Sequence, residues 1–464
     1  RGRPRPACAD GGGDAAARPL RFDPSEYRAP RAVAEDMLRS LALAFALSLG
    51  TSFAAAQSIT SFGPGDELTF VRDVVPAPGG GLYVAGRTLG RFTPGETTGL
   101  PGDAFVVRLD AAGQIVWARQ WGDRRHQAAT ALALDGDELL VAVAENGNGD
   151  RLFRGVPAYG TAILRLGSDG SERGHFPVDA LVHDIALGSG GRVAVCGRKV
   201  ELQRGTVDFH LAVHERDGRR RWLHTERSRR SDESCRAVAW RGERVVASGW
   251  VSAPRGEVPR TRLTRAASVH DDAQLGVEPM SRPMLTAAFD ARRGRRLWAR
   301  VWRGGDHRPH GLDVGADGTV WVAAQVDRTW TAPNRWNASL VAYGPDGRHL
   351  HTTHREVGDQ ARGFDAVQAR DDGALWMISP RFGYMNPRQT ALGIPAANRI
   401  GLIAVSRDGR ARLVGESEAF RRAGGFALVG GQAQLVGVGC VGQRCSALVE
   451  RWPLATAAEP TAKE

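Results

Sequence analysis

The sequence predicts an all-β protein: a seven-bladed β-propeller of four-stranded blades, closed by pairing its N- and C-terminal segments. Three observations carry this prediction. An apolar unit with strand spacing recurs along the chain, two series of turn glycines keep its period, and tryptophans hold register with the turns. After Gln57 no long 3.6-residue apolar period appears, so helices should be few.

The clearest unit runs from Asp103 to Ala144. Its apolar residues alternate or run in short groups, reading as strand, turn at Gly113, strand, loop, strand, turn at Gly136, strand. The first turn recurs at Gly170, Gly218, Gly294, Gly347 and Gly409, usually after an Asp (Asp169, Asp217, Asp346, Asp408). The second turn falls at Gly81, Gly136, Gly190, Gly242, Gly318, Gly373 and Gly430, with spacings of 52 to 57 residues and one of 76. The long interval holds an insert at about 251–282, rich in Pro, Arg and Ser. It reads as an exposed loop suited to specific contact. Trp117, Trp222 and Trp298 each lie four residues after their turn glycine, and Trp121 and Trp302 eight after. Tryptophan in this register reads as blade-to-blade packing rather than as a ligand platform.

The count of half-units sets the blade number. The second half-unit occurs seven times and the complete first half-unit six times. A seventh first half lies at Cys445 to Trp452, and the half-unit from Asp66 to Arg87 is left without outer strands. Pairing these two ends in one blade closes a ring, which leaves only short, protected sheet edges. Length alone would suggest two or three domains for 464 residues; the repeats reduce this to one, 57–464. An open solenoid and two smaller sandwiches are the structural alternatives.

Residues 1–36 show no periodicity and read as an upstream segment. Residues 37–56 read as a signal peptide: a basic start at Met37-Leu38-Arg39, an apolar run from Leu41 to Leu49, and Ala54-Ala55-Ala56 as the cleavage site. An uncleaved anchor is the alternative. No other segment is apolar enough to span a bilayer, so the mature chain is expected to be secreted or periplasmic, without a transmembrane span, and a monomer.

Apolar residues make up 42% and charged residues 24%, which excludes a disordered chain, and no Gly-X-Y period points to collagen. The net charge is +11, and the only lysines among 62 basic residues are Lys199 and Lys463. Arginine clusters (Arg219 to Arg221, Arg229 and Arg230, Arg292 and Arg293, Arg295 and Arg296, Arg421 and Arg422) can bind anionic surfaces. The excess is spread over the whole chain, however, and supports no partner by itself. The expected partner is a protein or an anionic surface polymer, and nucleic acid is not expected for an exported protein.

Candidate chemistry is sparse. Cys8 lies in the leader, and Cys196, Cys235, Cys440 and Cys445 permit two disulfides with three connectivities. Cys440 and Cys445 flank a four-residue turn. Cys196 and Cys235 fall at one rim of neighbouring blades. Buried free thiols are the alternative. A recurring Gly-Asp precedes inner strands at Asp66, Asp123, Asp306 and Asp359. These channel-rim candidates could bind a cation through oxygen ligands, or cap turns by accepting from backbone N–H groups; the second reading is favoured. His307 and His310 (GGDHRPH) and His349, His351 and His354 (HLHTTH) read as loop and solvated strand face rather than as metal ligands. No CxxC, nucleophile elbow or phosphate-cradling loop is identifiable. No catalytic residue, metal or cofactor is therefore assigned.

The string DAFVVRLDAAGQIVWARQWGD resembles the β-propeller repeat of many secreted bacterial proteins, the SBBP repeat. Ala288-Phe289-Asp290-Ala291 through Gly294, with Leu297-Trp298, resembles the blades of pyrroloquinoline-quinone-like propellers. The resemblance spans Asp66 to Trp452, and the units around Gly170, Gly347 and Gly409 lack its Trp. It implies a propeller and little about function. The functional expectation is an exported binding or scaffold module. A quinoprotein-like or hydrolytic enzyme working at the central channel is the alternative.

Overall fold

The computed structural model describes residues 58–454 apart from 64–68, 93–101, 124–125, 147–152, 154, 158, 204, 227–232, 252–282, 303–305, 328–335, 357–363, 380–399, 421 and 442–443. The chain divides into units 1–56 and 57–464; the first, with the expected leader, lies outside the described residues.

Among the described residues the strands form seven four-stranded antiparallel sheets. Blade 1 is β2 (Thr69–Pro76), β3 (Leu82–Thr88), β4 (Asp103–Leu109) and β5 (Ile115–Trp121). Blade 2 is β6 (His126–Asp135), β7 (Glu138–Asn146), β8 (Thr161–Leu166) and β9 (Glu172–Val178). Blade 3 is β10 (Leu181–Leu187), β11 (Val193–Glu201), β12 (Thr206–His214) and β13 (Arg220–Glu226). Blade 4 is β14 (Ser234–Arg241), β15 (Arg244–Trp250), β16 (Met284–Asp290) and β17 (Arg296–Trp302). Blade 5 is β18 (Asp306–Val314), β19 (Val320–Asp327), β20 (Trp336–Tyr343) and β21 (His349–Glu356). Blade 6 is β22 (Phe364–Arg370), β23 (Gly373–Ser379), β24 (Ile400–Ser406) and β25 (Ala411–Ser417). Blade 7 is β26 (Arg422–Val429), β27 (Gln432–Val441), β28 (Arg444–Pro453) and, from the other end of the chain, β1 (Ser58–Phe62). Consecutive inner strands pack on one another, and β26 packs on β2, so the ring is closed. This is a seven-bladed β-propeller.

Burial follows from the ring. The two middle strands of each blade have neighbours on both faces, so β3 and β4 are almost wholly buried while β5 is mostly exposed or half-buried. Every junction between adjacent blades holds its own apolar cluster. Each fully buried Val or Leu there contributes about 1.5–3 kcal/mol of transfer free energy.

Closure differs in detail from the expectation. The half-unit Asp66 to Arg87 keeps outer strands of its own, β4 and β5. The strand that completes blade 7 is β1, with Ser58 opposite Arg451 and Phe62 opposite Ala447. The reason is local pairing: β3 and β4 are successive antiparallel strands, whereas blade 7 ends at β28 and lacks only one edge strand. Five residues suffice for it.

Strand order also defines two rims. Turns between first and second strands, and between third and fourth, lie at one rim; connections between second and third strands lie at the other. The insert belongs to the second rim, since its flanks Trp250 and Met284 are register partners and Val251 N donates to Pro283 O (3.0 Å). Residues 252–282 lie outside the described residues.

The tryptophan register has a physical cause. Trp117, Trp222 and Trp298, on fourth strands, lie over Gly170, Gly294 and Gly347 in the next blade's turn. Each indole Nε1 donates to a carbonyl of that turn: Ser168 O (2.9 Å), Ala291 O (3.0 Å) and Pro345 O (3.0 Å). A Cβ on those glycines would stand 2.8, 2.6 and 2.5 Å from the indole, and their φ of +78°, +69° and +78° disfavours any side chain. His351 does the same work over Gly409, and Phe176 over Gly218. Blades 2 and 5, which lack the tryptophan, keep the joint with another ring, whereas Gly113 of blade 1 is covered by Arg451 and Thr60 of blade 7.

Candidate functional site

The innermost strands carry the polar chemistry. In six of them the ladder shifts by one residue, between Val71/Asp73, Ala129/Ala131, Val182/Asp184, Cys235/Ala237, Pro309/Gly311 and Ala423/Gly425. The bulge leaves an extra residue on the strand nearest the axis. These residues are Arg72, Thr130, His183, Arg236, His310 and Gly424. Two of them meet across a junction: Arg236 Nη1 lies 3.3 Å from His183 Nε2. A guanidinium has only donors, so the imidazole nitrogen accepts.

Three carboxylates beside this wall join neighbouring blades. Asp73 accepts from Val74 N (2.7 Å) and, across the junction, from Leu132 N (2.6 Å). Asp184 accepts from Ile185 N (2.8 Å) and Val238 N (2.8 Å). Asp313 accepts from Val314 N (2.7 Å) and Ala369 N (2.8 Å). Blades 1 and 2, 3 and 4, and 5 and 6 are clasped in this way. Thr130 Oγ1 donates to Val182 O (2.9 Å) between blades 2 and 3, and Gln368 Nε2 to Phe426 O (3.0 Å) between blades 6 and 7.

These acids are electrostatically strained. Burial raises Asp73 to about 6. Burial, followed by the charge of Asp73, raises Asp184 to about 8, and burial raises Asp313. Loss of hydration outweighs the backbone donors, which pull the other way. Asp184 therefore holds its proton at pH 7, and a protonated carboxyl keeps acceptor lone pairs for its two donors. Deep acids with raised pKa values are a mark of catalytic sites. Here, though, both oxygens of each are occupied by backbone N–H groups, an arrangement made for holding rather than for reacting.

His307 and His310, read as loop residues, lie in β18, and His310 is on the inner wall; the other residues singled out in the sequence fall elsewhere. Of the Gly-Asp set, Asp123 receives a bond from Gln127 Nε2 (2.5 Å), tying the entry of β6. Asp66, Asp359 and the side chain of Asp306 lie outside the described residues. His307 is buried and stacks on Trp302 at 5.0 Å between ring centres. His349 pairs with Thr352 Oγ1 (2.8 Å) and His354 with Ser339 Oγ (2.8 Å), while His351 covers Gly409. The three imidazoles are thus engaged separately. Among the described residues no three potential ligands come together around a metal position.

Cys196 and Cys235 form a disulfide, with 5.2 Å between Cα atoms. It joins β11 to β14, both sulfurs buried. Cys196 is the register partner of Asp184, and Cys235 precedes Arg236. The bridge thus fastens the junction that the Asp184 clasp serves. The register places Cys440 opposite Cys445; their side chains lie outside the described residues.

The clasp acids escaped the sequence reading. Their signal was present in Phe-Val-Arg-Asp-Val (70–74) and Leu-Val-His-Asp-Ile (181–185), the same pattern two blades apart. A search at the one-blade period passes over it.

No family model matches the chain, and no curated protein matches it. Among solved structures it is similar to hydrazine synthase from Kuenenia stuttgartiensis, at TM-score 0.48 and 11% identity over 81% of this chain and 94% of that one. It is similar also to the β-propeller domain of Cps50 (Swd1) from Myceliophteria thermophila, at TM-score 0.48 and 14% identity over 84% and 99%. Similarity to the plexin A4 extracellular region has a TM-score of 0.45 and 8% identity over 84% of this chain and 40% of that one. Remote likenesses of this size do not bear on function; the fold stands on the seven sheets themselves.

Proposed function

We propose that the protein is an exported propeller that serves as a binding or scaffold module for a protein or polymer partner. The observation that carries this reading is the use made of the deep polar groups. Asp73, Asp184, Asp313, Thr130 and Gln368 bond blade to blade, which makes a stiff ring whose rims are left to vary. Export is supported by the buried Cys196–Cys235 bridge, which belongs to an oxidising compartment, and by the leader read at 37–56. Among the described residues no helix is long and apolar enough to cross a membrane.

The test uses residues 57–464 as immobilised bait in exported fractions, with cross-linking, and with soluble propeller as competitor. A partner that is retained and then competed away supports the module; no competed partner from any exported fraction overturns it. The raised carboxyls Asp73 and Asp184 favour one rival, a quinoprotein-like or hydrolytic enzyme at the channel. That rival requires an absorbance band at longer wavelength than tryptophan, or a hydrolytic turnover lost in Asp184→Asn while the fold is kept.

A further inference from the structure

The turns between third and fourth strands carry charge unevenly around the ring. Within three residues of the turn glycine, blade 4 (291–297) has four Arg and no acid; blade 3 (215–221) has four Arg against Glu215 and Asp217. Blade 6 (406–412) has three Arg against Asp408, and blade 5 (344–350) balances Arg348 with Asp346. Blade 1 (110–116) has Asp110 alone, and blade 2 (167–173) sets Arg173 against Asp169 and Glu172. The rings over Gly294, Gly347 and Gly409 seat these turns side by side. Blades 3 to 6 thus form one cationic arc, and blades 1 and 2 a weakly acidic one. Arg216, Arg221, Arg292, Arg296, Arg407 and Arg410 are ion-paired with Glu138, Glu215, Glu243, Glu226, Asp317 and Asp408, whereas Arg220, Arg293 and Arg295 are exposed and take part in none of these pairs.

Within the arc, between blades 4 and 5, lies a slot of about 160 Å³. Its lining includes Ala288, Trp298, Val314 and Pro345, with Arg241 and Arg244 and with Glu243, which is paired to Arg292. Arg244 Nη1 and Trp298 Nε1 both donate to Pro345 O (3.0 Å each), which holds the wall in place. The volume is well below the ~300–1,000 Å³ of small-molecule sites. It is the size of one large apolar side chain.

We propose that this arc docks an acidic polypeptide segment of a partner protein, with one apolar side chain seated in the slot between blades 4 and 5. The proposal rests on the binding-module reading and deepens it. Charge complementarity selects an anionic partner and speeds encounter. The apolar slot selects a polypeptide among anionic polymers, because a sulfated or uronic polysaccharide has no aliphatic or aromatic side chain to insert. The surface lies on the rim opposite the insert.

The test is fluorescence anisotropy of residues 57–464 with a labelled decapeptide of Asp and Glu around one central Leu. Its twin has Ala in place of Leu, and dextran sulfate is the third probe. The Leu peptide should bind, weaken roughly tenfold on Leu-to-Ala replacement, and weaken steeply between 50 and 200 mM salt, as expected for exposed charges. Arg293→Glu/Arg295→Glu should cost a further several-fold. Ala316→Trp, at an exposed turn residue lining the slot, should reduce the Leu peptide to the level of its Ala twin. All three sites are exposed, so an unchanged thermal melt verifies the fold. Equal binding of the two peptides, indifference to Ala316→Trp, or binding of dextran sulfate without the peptides would overturn the proposal. If the partner captured by the bait persists unchanged in the Arg293→Glu/Arg295→Glu/Ala316→Trp variant, this surface is wrong and the module reading stands.

Discussion

The ring is joined twice at each of several junctions, and the two joints are built from opposite chemistry. Near the axis, carboxylates, a hydroxyl and an amide reach from one blade to the backbone of the next. On the outer turns, an indole or another ring lies on a glycine. Where the ring is Trp or Phe, the outer joint gains from apolar contact, with one neutral hydrogen bond from each indole, so it is insensitive to pH. The inner joint holds ionisable groups away from water, and its strength depends on their protonation. The pair teaches that one propeller can fix its rim by shape and its bore by charge state.

The largest effect comes from opening the ring that both joints hold together. Removing residues 444–464 deletes β28, which lies between β27 and β1 in blade 7. Both flanking strands then lose their partner and expose edges prone to pairing with other chains. We expect loss of cooperative unfolding and aggregation, seen by light scattering; a soluble truncated monomer with unchanged melting would refute closure through this blade.

Next is Gly347→Val, which attacks the outer joint alone. The new side chain meets Trp298 and adopts an unfavourable φ, for a loss of about 3 kcal/mol in denaturant unfolding. A cost below about 1 kcal/mol would show that the indole-on-glycine contact is not tightly packed.

The Cys196→Ala/Cys235→Ala variant opens the bridge behind the Asp184 clasp, whose ends are 39 residues apart. The expected loss is ~2–4 kcal/mol. Combining it with Asp184→Asn checks whether bridge and clasp act as one joint. Additive losses would mean that they act separately.

The smallest effect is the pH slope. Asp184 is raised above its unfolded value, so its contribution is fully present below about pH 4 and is lost as pH rises toward 8. Asp73 loses its contribution earlier, by about 6. Burial, followed by the charge of His214, lowers His210 to about 3. Its contribution is present above about pH 6.5 and is lost as pH falls. Below pH 6.5 these trends oppose one another. Between pH 7 and 8.5 Asp184 acts nearly alone, and stability should fall by on the order of 1 kcal/mol. Asp184→Asn should flatten that slope in denaturant titrations; Gly347→Val should leave it in place.

This contrast also explains what could be read in advance. In blades 1, 3, 4 and 5 the ring of the outer joint lies four residues after a turn glycine, so Trp117, Trp222 and Trp298 could be read from spacing alone, whereas His351, in the same register, reads in the sequence as part of a solvated strand face. That spacing was enough for the blade count and for the tryptophans' packing role. The inner joint uses Asp in blade 1, Thr in blade 2, Asp in blade 3 and Gln in blade 6. It repeats in geometry and not in residue type, so no one-blade period exposes it. The closing strand was missed for a related reason: Ser58–Phe62 is too short to show a pattern and has no twin nearby. The cationic arc was visible as scattered arginine pairs, and only the order of the turns around the ring gathers them on one side.

Ring closure has a consequence for the order of events as the chain is made. Ser61 Oγ bonds Ser446 Oγ across 385 residues of sequence. The first strand synthesised must therefore wait for the last before it finds its place. During that interval six blades can assemble from neighbouring strands, while β1 stays an open edge and blade 7 does not exist. Long-range pairing of this kind slows folding and prolongs exposure of sticky edges. A permuted chain carrying β1 just after Pro453 would complete blade 7 from neighbouring strands, leaving only the packing of β26 on β2 to close the ring.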